Sequence, residues 1–201
     1  MAVTRERLDQ GMTYEQFVAG MTKHRERLQQ SEQTTVIDAA DRDFFRGLPE
    51  TLDVLVLAED APGDIAAGLS VLAKLAKETG RLRLHLFLRD RDDDLMRQYL
   101  LHGQFRAIPV FVFFDQQMRE LGHFIERPPA FNELQRQERQ RLFAEHPEMG
   151  DPTAPADQLS EEQRQTRQTL LAKLDAELAP ERARMLVGDL RAIVEHTPIA
   201  R

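Results

Sequence analysis

Tyr14, Phe17, Val18, Met21 and Leu28 recur at helical spacing near the start of the chain, and Thr13-x-x-Gln16 supplies a capping box in front of them. A shorter helix is expected around Phe44 and Phe45, stopped by Gly47 with Pro49 beyond it. The pattern then changes. Residues 53–58, DVLVLA, are a short run dense in Val and Leu, as a strand covered on both faces is. The turn Glu59-Asp60-Ala61-Pro62-Gly63-Asp64 leads into a helix marked by Ile65, Leu69, Leu72 and Leu75, with Pro62 suited to its first turn and Gly80 to its end. LRLHLFL follows as an alternating strand, with Leu82, Leu84, Leu86 and Leu88 on one face and Arg83, His85 and Phe87 on the other. Strand, crossover helix and strand make a βαβ unit.

After RDRDDD, the positions of Leu95, Met96, Tyr99, Leu100 and Gly103 predict a short helix with an acidic start. Residues 107–114 and 121–125 predict two strands joined as an antiparallel hairpin, and a helix over 131–145 is expected to close the unit. HPEMGDPTAPADQ, residues 146–158, holds three prolines and a glycine and reads as a linker. Two helices are expected beyond it. Ser160-x-x-Gln163 caps the first, carrying Leu170, Leu171, Leu174 and Leu178; Pro180 opens the second, carrying Leu186, Leu190, Ile193 and Val194. The expected organisation is an N-terminal helical extension (1–50), an α/β domain (51–145), a linker (146–158) and a C-terminal helical extension (159–201).

Composition narrows the chemistry. At about 150 residues per domain, 201 residues fit one domain with additions. A formal charge of −7 argues against a nucleic-acid partner, because such affinity comes largely from neutralising phosphates. No apolar run approaches the roughly 20 residues that span a bilayer, and MAVTRERLDQ lacks a signal-peptide core, so the expectation is a cytoplasmic protein with no membrane partner. The chain contains no cysteine. Disulfides, a thiolate nucleophile and cysteine-ligated zinc or iron–sulfur clusters are therefore excluded for this chain.

LDVLVLAEDAPGD, then LHLFLRDRDDDLMRQYLLHGQFRAIPVFVFFD, then ELGHFIERP, is similar to a bacterial thioredoxin-like family whose active-site segment reads Glu-Asp-Trp-Cys-Gly-Asp. The resemblance spans residues 13–145 and is densest over 52–128. It implies an α/β thioredoxin-like fold, a central mixed β-sheet flanked by helices, with helical extensions at both ends. It also implies a groove beside Pro62 and Pro109, a cis Ile108–Pro109 bond, and an Ile108 main chain able to pair with an extended peptide. The departure falls on the chemistry: Ala61 stands for the family's tryptophan, Pro62 for its nucleophilic cysteine and Ile65 for its second cysteine. Thiol–disulfide exchange proceeds through a mixed disulfide, which no residue here can form. A thiol-disulfide isomerase label transferred from the family would mislead.

Two readings of the former active-site segment, Asp60, Ala61, Pro62, Gly63, Asp64 and Ile65, stand side by side. One is an anion pocket at a helix N-terminus. The other is ordinary helix-start chemistry, with Asp60 or Ala61 as N-cap, Pro62 in the first turn and Asp64 offsetting the dipole. Asp64 is a candidate acid or base if apolar walls raise its pKa. Asp90, Asp92, Asp93 and Asp94 imitate the start of a calcium loop, but Leu95 replaces the turning glycine and Leu101 the bidentate glutamate. No metal site is expected from His24, His85, His102, His123, His146 or His196, which lack ligand spacing; His85 and His123 fall on strand faces. Ser31, Ser70 and Ser160 lack a nucleophile elbow. Arg136, Arg139 and Arg141 form either an acidic-partner contact or a solvated helix face.

The favoured expectation is a redox-inactive thioredoxin-like module, without cofactor, holding a protein or peptide in the old groove or on the added helices. An enzyme borrowing an exogenous thiol such as glutathione is the alternative. A third class is structural, with the helices after residue 159 wrapping their own chain or clasping a second copy as a homodimer.

Overall fold

The run at 53–58 becomes β1 (Leu52–Ala58), buried along its whole length. It lies between β2 (Leu82–Leu88) and β3 (Val110–Phe114), and β4 (Glu120–Ile125) completes the sheet in the order β2-β1-β3-β4. The β1–β2 pair is parallel and the other two pairs are antiparallel. A parallel neighbour requires a crossover, and β3 needs only a hairpin to reach β4. The computed structural model describes residues 3–61 and 63–195.

Ahead of the sheet lie α1 (Arg5–Leu8), α2 (Tyr14–Gly20), α3 (Arg25–Thr34) and α4 (Ala39–Arg46). The single apolar stripe of the first third is thus divided between α2 and α3. The expected capping box is present, with Thr13 Oγ1 accepting from Gln16 N and the Gln16 side chain accepting from Thr13 N. The break at residues 21–24 has a physical cause: the amides of Thr22, Lys23 and His24 all donate to Asp60.

The crossover is α5 (Asp64–Thr79), stopped by Gly80 in the left-handed conformation (φ 66°). After β2 comes α6 (Asp93–Met96). One core lies on the sheet face that carries Val54, Val56, Phe111 and Phe113, with Ile65, Leu69 and Leu72 of α5. A second fills the opposite face, where Leu55, Leu57, Phe87, Val110 and Val112 meet Val3, Leu8, Leu95, Met96 and Tyr99. Fully buried Leu8 contributes about 1.5–3 kcal/mol and fastens a four-residue helix too short to hold itself.

The C-terminal third departs from expectation in three ways. In place of two helices there is one, α8 (Glu161–Glu195), 35 residues long with Pro180 inside it. Proline removes one hydrogen bond, and Pro180 lies on an exposed stretch where water can serve the freed carbonyl. Second, α7 (Pro129–Glu145) buries a single residue, Phe131. Ala183, Leu186, Val187, Leu190 and Val194, at the end of α8, supply the missing apolar stripe to the first core. Third, residues 146–158, though mostly exposed, are tied down by hydrogen bonds. They form turns at Pro147–Met149 and Ala156–Gln158, Met149 is fully buried, and Arg167 donates to the carbonyls of Met149, Asp151 and Ala154.

Contacts divide the chain into two units, Met1–Arg127 with Ala183–Arg201, and Pro128–Arg182. Within the second, Arg182 stacks over Phe131, Gln135 donates to Asp175 and Arg167 stacks over Phe143. Ascending numbers on α7 meet descending numbers on α8, which defines an antiparallel helical hairpin.

Candidate functional site

The segment between β1 and α5 is built differently from an ordinary helix start. Gly63 is the N-cap, with φ 73°, and α5 begins at Asp64. Asp60 does not cap α5, as the helix-start reading expects. Its Oδ2 accepts from Thr22 N at 2.6 Å and Lys23 N at 2.8 Å, and its Oδ1 from His24 N at 3.0 Å. Burial acts to raise the Asp60 pKa, but these hydrogen bonds, with the Thr22 hydroxyl, hold it below the ordinary range. Glu59 accepts from Asp90 N at 2.9 Å and so ties the segment to the turn after β2.

Ala61 and Ile108 are half-buried and pack against the first core, and Ile65 is buried within it. Asp64 is paired with Arg127 at 3.3 Å. An acid or base working from this position would have to leave that ion pair. Pro62 lies outside the described residues. The Ile108–Pro109 bond is cis and Pro109 is buried. Gly68 lets α5 approach this proline: a Cβ there would lie 2.9 Å from Pro109 Cγ. Glu126 N donates to Pro109 O, while the main chains of Ala107 and Ile108 form no backbone hydrogen bond among the described residues. Arg106 braces this stretch by donating to Arg89 O at 2.7 Å and to the Asp93 carboxylate.

The other candidates are engaged in structure. Arg7 bridges Asp92 and Asp94, Asp92 accepts from Leu88 N, Asp93 pairs with Arg97 and Arg106, and Asp90 pairs with Arg89. Among the described residues no group of three His, Asp or Glu side chains could hold a metal ion. Ser70 is buried and bonded to Ser31 and Ala67 O, and Ser160 caps α8. His123 and Tyr99 both meet Glu120, and His146 meets Glu148. Arg136 pairs with Glu133, Arg139 with Asp175, and Arg141 with Glu138. His196 lies outside the described residues.

Sequence reasoning missed one buried polar centre. His85 Nε2 lies 2.8 Å from Asp53 Oδ1, and Arg5 donates to Asp53 Oδ2 at 2.6 Å. Burial would raise the Asp53 pKa, but the hydrogen bonds from His85 and Arg5 overcome that and lower it. The available signal was a carboxylate inside an otherwise apolar strand run, which demands a partner.

A four-stranded mixed sheet, a crossover helix starting beside an Ile-Pro turn, and helical extensions at both ends define a thioredoxin-like protein. The family model of thioredoxin matches residues 11–140, and the chain belongs to that family. No curated protein matches it. Two solved structures share the fold. One is a protein of unknown function from Pseudomonas aeruginosa, 20% identical, with 96% of this chain and 98% of that one covered and a TM-score of 0.65. The other is an HIV epitope scaffold, 19% identical, with 98% and 100% covered and a TM-score of 0.66. Among the described residues no helix is long and apolar enough to cross a membrane.

Proposed function

We propose that this is a redox-inactive thioredoxin-like binding module that holds an extended segment of a partner protein beside Ala61, Pro62 and Ile108. The observation that carries the reading is a family fold kept around a site with no cysteine anywhere in the chain. The unpaired main chain of Ala107 and Ile108 supports it, since extended segments bind by completing exposed main-chain hydrogen bonds. The enzymatic alternative needs a bound thiol.

Three measurements test this. The purified protein leaves dithiothreitol-driven insulin reduction at the blank rate, and calorimetry gives no heat of binding with glutathione. A partner retained by the native chain in a pull-down is lost with Ala61→Arg, at unchanged melting temperature, because a long cation fills the groove. Equal retention by the Ala61→Arg protein overturns the groove; saturable glutathione binding moves the reading to an enzyme.

A further inference from the structure

The β2 edge of the sheet lies away from the groove and is only partly covered. β2 is an edge strand, and its main chain alternates between β1 and the outside. Arg81 O accepts from Leu52 N and Arg89 N donates to Ala58 O, so odd-numbered positions face β1. Even-numbered positions face outwards. Leu86 exchanges both of its groups with Met12, at 2.9 and 2.8 Å, and Leu88 N donates to Asp92 Oδ2. The chain that covers the edge at Leu86 then leaves it, because α2 starts at Tyr14. Leu82 and Leu84 are left with outward N–H and C=O groups that have no partner among the described residues.

Beside this open stretch is a cleft of about 740 Å³, floored by Leu82, Leu84, Ala73 and Ala76 and walled by Tyr14 and Val18. Its charge runs against that of the chain as a whole. Arg25, Lys77 and Arg83 line it with only two carboxylates, Glu15 and Glu32, in a protein of net charge −7. Glu32 already accepts from the Tyr14 hydroxyl, and Arg25 donates to the carbonyls of Ala19 and Met21 and to no carboxylate. The Arg83 side chain lies 3.6 Å from Asp53 Oδ1 but is 62% exposed and shares that carboxylate with Arg5, and Lys77 forms no ion pair among the described residues.

We propose that an extended segment of a partner protein, alternating acidic and apolar residues, adds to β2 here as a fifth strand. The pleat sets the pattern. A residue exchanging hydrogen bonds with Leu84, as Met12 does with Leu86, places its side chain on the same face as Leu84, in the apolar cleft. Its neighbours point to the face that carries Arg83, where a carboxylate is favoured.

The probe is a fluorescein-labelled Glu-Val-Glu-Val-Glu peptide, followed by anisotropy and by amide spectra of ¹⁵N-labelled full-length protein. In the free protein the Leu84 amide exchanges with solvent much faster than that of Leu86, and the peptide protects it. Methylating one of the two valine nitrogens weakens binding about five- to tenfold, as loss of one hydrogen bond requires. Leu84→Pro removes the outward N–H without breaking the β1 ladder and has the same effect; the methylated peptide carries the test if that variant misfolds. Arg83→Gln weakens binding and reduces its salt dependence, whereas Ala61→Arg leaves it unchanged. Absence of saturable binding, or equal binding of Lys-Val-Lys-Val-Lys, overturns the proposal. Protection of Leu84 that grows with protein concentration alone, with a dimer in sedimentation, also overturns it and assigns the edge to a second copy.

Discussion

Gly68 lies inside α5, where alanine is ordinarily the better residue by about 0.5–1 kcal/mol. At this position the sign reverses. A methyl group would start 2.9 Å from Pro109 Cγ and 3.5 Å from Phe111 Cζ, and both residues are buried. Carbon atoms pack best at about 3.5–4.0 Å, so helix or proline must yield by roughly 0.6 Å or more. The proline ring is bonded into the main chain on both sides and cannot rotate away. Overpacking of this kind costs about 1–3 kcal/mol, and the middle of that range less the gain in helix propensity leaves a net loss of about 1–1.5 kcal/mol. At about 2–4 °C per kcal/mol for a chain of this length, Gly68→Ala melts about 2–6 °C below the native protein. Gly188 is the internal control. It sits inside α8 with nothing within 4 Å of an added Cβ, so Gly188→Ala melts about 2–4 °C higher. Circular dichroism melts of the three proteins in one buffer decide the matter. A Gly68→Ala protein that melts at or above the native temperature would refute the packing of α5 on Pro109, and with it the geometry beneath the proposed groove.

Two further predictions follow from the polar groups and from the alignment of the active-site segment. Asp53 has a folded pKa below its ordinary value, so its contribution to stability is complete above the ordinary carboxylate pKa and is lost as pH falls through the lower folded value. Asp53→Asn therefore costs about 1.5–3 kcal/mol at pH 7 in urea unfolding, and its gap from the native protein narrows towards pH 2; a gap independent of pH refutes the ionic account. Replacing Pro62 and Ile65 together by cysteine is expected to give a pair that oxidises to a disulfide, with the thiol at 62 acidified by the start of α5. Two free thiols by titration after incubation with oxidised glutathione, in a folded protein, would show that these positions do not match the family's dithiol.

The β1–α5–β2 core was legible because its signals are local: a run of Val and Leu, a helical stripe ended by Gly80, and alternation through residues 82–88. Errors arose where tertiary contacts outrank local pattern. Pro180 marks a helix boundary by propensity, yet apolar residues on both sides, Leu174 and Leu186, are buried and hold the helix continuous through it. Residues 146–158 have the composition of a loose linker, and an arginine eighteen positions beyond Met149 bonds their carbonyls. The helix over 129–145 has the place in sequence expected of the closing helix but buries only Phe131, while the end of α8 carries the apolar stripe of the first core. Asp60 was misassigned for the same reason, because its three amide donors lie 36–38 residues away.

Those same long-range contacts show how the family fold is held around a segment without cysteine. A working dithiol site keeps reactive groups available at the start of a helix. Here the corresponding polar groups are committed to structure: Asp60 to the turn before α3, Glu59 to the turn after β2, and Asp64 to Arg127. Ile65, which the sequence resemblance aligns with the family's second cysteine, is buried in the first core and contributes about 1.5–3 kcal/mol to it. Restoring catalysis would mean removing that side chain from the core and giving the helix start a thiolate. The proposed binding asks for neither change, because it uses the main chain of Ala107 and Ile108, which is free of backbone hydrogen bonds among the described residues. Selection for a docking surface is therefore compatible with every substitution at this site, whereas selection for thiol exchange is compatible with none of those at 62 and 65.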